Sequence, residues 1–249
     1  MDHHTHWFKF LPGYSQLEHA LAGGSFPATD VHHVFAGALV VITLLLLAFI
    51  ARGHFTNLEK AIIPPRSFGV VTFFELVIET IMGMMESIIG PDYKRYVPVI
   101  GTTGLFILLS NLMGLIPGFA TPTDNINTTA ACAVVVWIYF NYHGFRVNGI
   151  GHITHLLNPI GEPWGWILAP LVGSVEVISL IARCLTLALR LMVNMVGDHA
   201  VLFAFAGIMP FLVPLPFYAM GTLVCLIQTA VFCILSTVYI GLHTAEAEH

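Results

Sequence analysis

Charge is what this sequence has least of. Asp, Glu, Lys and Arg together make up 9% of its 249 residues, against about 25% in ordinary soluble domains. A water-facing globule cannot be covered with so few ions, and 57% hydrophobic residues with a mean hydropathy of +0.83 point the other way. The expected class is an all-α integral membrane protein. Several spans of about 20 residues would use most of the chain, so a single membrane domain over 1–249 is expected, with no room for a separate soluble catalytic domain. The net charge of −5 is spread over termini and loops without a basic stripe, which excludes nucleic acid as a partner. Cys132, Cys184, Cys225 and Cys233 have no paired spacing and lie in apolar runs, so neither a disulfide framework nor a metal site is expected. No glycine-rich phosphate loop is present, and neither nucleotide chemistry nor a bound cofactor is expected of this chain. Internal repeats and low-complexity tracts are absent as well.

The outer segment 1–32 lacks the basic start, apolar centre and small-residue cleavage site of a secretory signal, so the first apolar segment is expected to be retained. Asp2-His3-His4-Thr5-His6 and His32-His33 read as solvated interfacial histidines, with metal binding as the alternative. Val34–Ala51 is uncharged and Leu-rich, a first span. Arg52, Lys60 and Arg66 follow it, so positive-inside bias puts the N-terminus outside and the next loop in the cytoplasm. Residues 66–90 are apolar but carry Glu75, Glu79 and Glu86, a pattern that favours an interfacial or hairpin helix over a span. Residues 97–119 form an uncharged outward span. After the turn cluster Thr121-Pro122-Thr123-Asp124-Asn125, residues 128–146 return to Arg146 on the cytoplasmic side. A polar loop over 146–166 precedes a hairpin over 164–242. Within it the expectation is a helix over 167–196, a turn with a short continuation to 209, a break at Pro210, Pro214 and Pro216, and a helix over 217–241.

What remains is a cation where none is expected. Arg190 sits in Leu185-Thr186-Leu187-Ala188-Leu189-Arg190-Leu191-Met192-Val193-Asn194, and a charge at bilayer depth costs about 2.5–3.5 kcal/mol on insertion scales. Glu176, Arg183 and Arg190 are spaced seven and seven. At about 100° per residue they share one helix face, which Asn194 joins. Such a line reads as a hydrophilic wall toward protein or trapped water, although Glu176 and Arg183 could instead snorkel to headgroups. His199 lies roughly opposite Arg190 around the helix; it is either a hydrogen-bonded interface histidine or, beside Asp198, half of a titrating pair. Gln228 is the one strongly polar side chain between Val201 and Ser236, either interhelical glue or a partner of the Arg190 wall.

Three motifs carry a resemblance: Asn111-Leu112-Met113-Gly114-Leu115-Ile116-Pro117; Leu189-Arg190-Leu191-x-x-Asn194-Met195; and Gln228-x-x-Val231-Phe232 followed by Thr237-Val238-Tyr239-Ile240. Their order and spacing over residues 66–243 resemble subunit a of the F-type ATP synthase. The resemblance implies five to six membrane helices, the last two long, strongly tilted and cupped against a ring of c subunits. It also implies a proton-translocating stator in a bacterial plasma membrane, non-catalytic by itself, partnered by the c-ring, the b-subunit stalk and the soluble catalytic head. By motif position Arg190 matches the arginine that faces the ring carboxylates. Asn194 and Gln228 match polar residues beside the outer half-channel, Glu176 a carboxylate of the cytoplasmic one, and His199 a group of the outer path. Many relatives carry His or Glu where this chain has Gly221, so the outer path is expected to rest on His199 with Asp198, Asn111, Asp124 or water.

Two other classes fit less well. A self-contained secondary transporter with its site at Arg190 would show a second counterpart to 176–199, and the chain has none. A haem protein needs two histidines at matched depth, and His143, His199 and His243 are expected at different helix ends.

Overall fold

The computed structural model describes residues 32–55, 69–116, 119, 121–149, 165–206 and 214–244. Among these the fold is six helices without a strand: α1 His32–Phe55, α2 Val70–Ile89, α3 Val97–Gly114, α4 Ile126–Asn148, α5 Gly165–Ala206 and α6 Pro214–Thr244. Two 3₁₀ turns, Pro91–Arg95 and Pro122–Asp124, introduce α3 and α4. The N-terminal histidines up to His6, the Pro64-Pro65 break with Lys60 and Arg66, most of the 146–166 loop and Pro210 lie outside the described residues.

Local chemistry sets the helix ends. Gly90 stops α2 with a φ of +85°, a left-handed conformation that a side chain would resist, and Pro91 then opens the turn. Asn125 caps α4 by accepting a 2.9 Å bond from the Asn127 backbone N–H, which satisfies one of the otherwise orphaned first-turn donors. Pro214 begins α6 rather than breaking it, because the first turn needs no backbone donor there.

Four helices contain stretches long and apolar enough to cross a membrane: His32–Arg52, Val97–Gly114, Leu171–Leu202 and Leu215–Thr244. α2 falls outside this set because of its three glutamates; Phe74, Ile81 and Met85 turn inward while Glu79 and Glu86 stay exposed. α4, expected to span, also falls outside it. Its Asn127, Asn141, His143 and Arg146 dilute the apolar character, although its 23 residues reach about 34 Å at about 1.5 Å each.

The largest departure from expectation is α5. No turn follows residue 196: the helix runs unbroken for 42 residues, through Gly197-Asp198-His199, since one glycine weakens a helix without ending it. Its apolar stretch of 32 residues measures about 48 Å against about 30 Å of hydrocarbon. Such a segment leans far over or protrudes.

The core lies where α2–α6 meet, around Met85, Tyr96, Ile100, Ile107, Val136, Phe140, Leu187, Leu191, Phe232 and Ile240. In lipid, burying apolar surface against protein gains little over burying it against acyl chains, so close packing has to hold the helices together. Small buried residues on α3 serve this purpose: Gly101, Gly104 and Ser110. A Cβ at Gly104 would come within 2.7 Å of Cys233 Sγ and 3.3 Å of Ile81 Cδ1. α1 packs apart from this core, with Ala36 against Met113 and Phe119. Gly104→Val is therefore expected to lower the thermal midpoint of the detergent-solubilised complex, by overpacking worth about 1–3 kcal/mol, with Cys233→Ala restoring part of the loss. A native midpoint in the single variant would contradict this packing.

Candidate functional site

α5 has two unlike faces. Leu187, Leu191 and Met195 are buried, with exposures of 4%, 2% and 1%, against the neighbouring helices. On the other side Ile178, Ile181, Leu185, Leu189, Val193 and Val196 are exposed, and Arg190 is exposed among them. Arg190 makes no hydrogen bond or ion pair with another described residue. The result is an open apolar strip with a fixed positive charge in its middle, extended by exposed Leu223, Leu226 and Ile227 of α6.

Toward the start of α5, Glu176 Oε1 and Arg183 Nη2 form an ion pair at 3.5 Å, and the Arg183 guanidinium lies 5.6 Å from the centre of the Tyr239 ring of α6. Glu176 and Arg183 thus meet each other, and Arg183 also meets the Tyr239 ring. The Trp137 indole N–H donates to the Leu180 carbonyl at 3.2 Å, locking α4 to this stretch of α5.

Toward the other end, about 14 Å beyond Arg190 along the helix, a second polar group forms around the 3₁₀ turn before α4. His199 Nε2 is 3.2 Å from Thr121 Oγ1. Thr123 Oγ1 donates to Asn111 Oδ1 at 2.7 Å, with both residues buried, while the Asn111 amide nitrogen is buried without a partner among the described residues. Gly114 makes room for this contact, since a Cβ there would collide with Thr121 and come within 2.8 Å of His199 Nε2. Asp198, the neighbour of His199, points elsewhere: a Cβ at Gly221 would meet its Oδ2 at 2.7 Å and Leu115 Cδ2 at 2.9 Å. The carboxylate of Asp198 occupies the space that a side chain at 221 would need.

The structure therefore gathers Asn111, Asp198 and His199 at one end of α5 and Glu176 at the other, with Arg190 between. Asp124 lies in the Pro122–Asp124 turn beside the first group and is partly buried. Asn194 and Gln228 are partly buried, and neither bonds to another described residue, so the proposed pairing of Gln228 with the Arg190 wall is not formed as a direct contact. Sequence reasoning treated Thr121 and Thr123 only as turn residues and gave Tyr239 no role; each acts across helices, which one chain segment cannot reveal. One further expectation is corrected. His143 and His243 come to the same end of the bundle, the first 4.5 Å from the Tyr139 ring and the second 4.6 Å from the Phe140 ring. Their helices run in the same direction, so their C-terminal turns share a level. No group of three or more metal-ligating side chains forms among the described residues.

A family profile described as the ATP synthase A chain matches residues 34–241, which takes in both polar groups and Arg190. The chain belongs to the ATP synthase A chain family. It is 45% identical over 243 residues to ATP synthase subunit a 1 of Pelobacter propionicus, covering 98% of this chain and 99% of that one. Against ATP synthase subunit a of Sorangium cellulosum it is 42% identical over 217 residues, 87% and 83% of the two chains. Against that of Geobacter sulfurreducens it is 44% identical over 209 residues, 84% and 86%. In this A chain, Gly221 and Asp198 are a matched set. Gly221→Glu is expected to cut ATP-driven proton pumping severalfold by driving out the Asp198 carboxylate, and Asp198→Gly in the same chain to restore part of it. Dye-quench assays on membrane vesicles measure both; equal loss in the single and double variants would contradict the steric reading.

Proposed function

We propose that this A chain is the proton-translocating stator of an ATP synthase membrane motor, with Arg190 dividing two half-paths. The observation that carries the reading is the exposure of Arg190 in the middle of an otherwise apolar strip, flanked on the same helix by a polar group at each end. An open apolar strip suits the helices of a rotor ring, and a lone cation within it suits a passing carboxylate.

The chemistry follows from burial. A ring carboxyl facing lipid holds its proton, because an unpaired ion in hydrocarbon is strongly disfavoured. Opposite Arg190 the ionised form is favoured instead, since an opposite charge a few ångströms away stabilises it. Lysine could lose its proton when desolvated; arginine keeps its charge at every relevant pH. The proton released on one side leaves through the Glu176 end, and a proton arriving through His199, Asp198, Asn111 and Asp124 neutralises the next carboxyl. Direct passage between the ends is blocked by the fixed charge, so net current requires the ring to turn. Each proton crossing 100 mV releases about 2.3 kcal/mol, so several are needed per nucleotide made in the catalytic head.

The c-ring, a b-subunit stalk and the soluble head are the partners this role requires, and the chain does no catalysis alone. Basic residues support its orientation: Arg52 at the end of α1, Lys94 and Arg95 before α3, and Arg146 at the end of α4 fall on one side if successive spans alternate. By positive-inside bias that side is cytoplasmic, which leaves the N-terminus and the Asp124 turn outside a bacterial plasma membrane.

Arg190→Ala is expected to abolish ATP-driven pumping in vesicles while the chain still assembles, as judged by its copurification with the proteolipid ring. His199→Ala is expected to give partial loss. Coupled pumping at native rate in the Arg190 variant would overturn the assignment.

A further inference from the structure

Arg183 is the charged side chain of α5 that the proposed path leaves without a task, and three helices hold it in place. Its guanidinium pairs with Glu176 at 3.5 Å and lies over the Tyr239 ring at 5.6 Å. That ring packs at 6.0 Å from Phe140 of α4, and Phe140 is 2% exposed. The Thr186 hydroxyl donates to the Arg183 carbonyl at 3.1 Å, and the bond from Trp137 to Leu180 fixes the preceding turn. Phe140, Tyr239, Arg183 and Glu176 thus form a row running from the buried core to the mouth of the hairpin.

The pair is too exposed to hold the fold together. The side chains are 23% and 39% accessible, and ion pairs of that kind contribute little to stability. Placement of the carboxylate is the remaining effect. Without a cation anchored to α6, nothing in this row would hold Glu176 against the seam between α5 and α6. A charge effect accompanies it: Arg183 stands two turns from Arg190 on the same face, and Glu176 neutralises it, leaving Arg190 the one uncompensated cation of the strip.

We propose that Arg183 is a positioning residue for Glu176, clamping the carboxylate to the Tyr239 ring so that the cytoplasmic proton exit stays at the α5–α6 seam. The inference rests on the proton path described above. Other titratable groups near the row are Tyr139 and His143 of α4 and His243 of α6; His243 Nδ1 is already engaged at 2.8 Å with the Tyr239 carbonyl.

The test uses the whole complex in inverted vesicles, with chain levels matched by immunoblot and ATP-driven pumping read by dye quenching. Arg183→Met is expected to slow pumping about three- to tenfold, and Arg183→Lys, which keeps a cation able to lie over the ring, to recover part of the rate. Because Arg183 acts through Glu176, Arg183→Met with Glu176→Gln should be no slower than the slower single variant. Tyr239→Leu should lose about two- to fivefold and Tyr239→Phe, which keeps a ring face for the cation, distinctly less. Native pumping in Arg183→Met, or losses that multiply in the double variant, would overturn the proposal while a dead Arg190→Ala leaves the proton path standing. If Arg190→Ala pumps normally, the path itself falls and takes this role with it.

Discussion

A guanidinium that cannot be neutralised, set on a surface otherwise made for lipid or for another apolar helix, is the constraint on which the rest of this molecule depends. The charge could escape its surroundings by rotating inward, and the fold prevents that. Leu187, Leu191 and Met195 are packed against the bundle, and helical periodicity then keeps Arg190 on the open face. Insertion of a cation at that depth is tolerable only if something answers it. On the proposed reading, a carboxyl carried past on a separate body answers it intermittently, which is what a motor needs and a static ion pair would defeat.

The two long helices set the distances over which this works. Asp198 meets Gly221 near one end of the hairpin, and Arg183 meets Tyr239 near the other. These pairs fix an antiparallel register in which Arg190 is level with about residue 230 of α6, within a turn of Gln228. Asp198 fills its place against a glycine, and Arg183 reaches across to a ring. Each contact joins the helices with a polar side chain, and each lies to one side of Arg190. The hairpin is tied on either side of Arg190 and carries that charge between the ties.

Much of this was legible from residue order alone, for definite reasons. Scarcity of charge exposed the apolar helices, and the spacing of Glu176, Arg183 and Arg190 gave their common face from helix geometry. The Arg190 motif, with its companions around Asn111 and Gln228, identified the family. The unbroken course of α5 was not legible, because Gly197-Asp198-His199 looks like a turn in sequence and is outweighed by packing on both sides. Nor were contacts between elements far apart in the chain. Thr121 reaches His199, Thr123 reaches Asn111, and Asp198 reaches Gly221 only once α3, α5 and α6 have been brought together. The shared level of His143 and His243 was hidden for the same reason, since it depends on two helices running in parallel.

Unmet hydrogen-bonding groups stand near both of these ties. Among the described residues, the Asn111 amide and the Ser110 hydroxyl are buried without partners beside the His199 group, and so are His143 Nδ1 and the Ser236 hydroxyl in the other half. In a packed interior such groups carry a penalty of about 1–3 kcal/mol each, and the partner that buried polar groups most readily take is water. Beside Arg190 on α5 the buried Leu187, Ala188 and Leu191 offer no polar side-chain atom, and the polar groups near its level are Asn194, Gln228 and the buried Thr229. Buried polar groups therefore stand on both sides of the arginine, with its fixed positive charge between them. On the proposed reading, protons that reach this charge from either side can pass only to something that moves from one to the other.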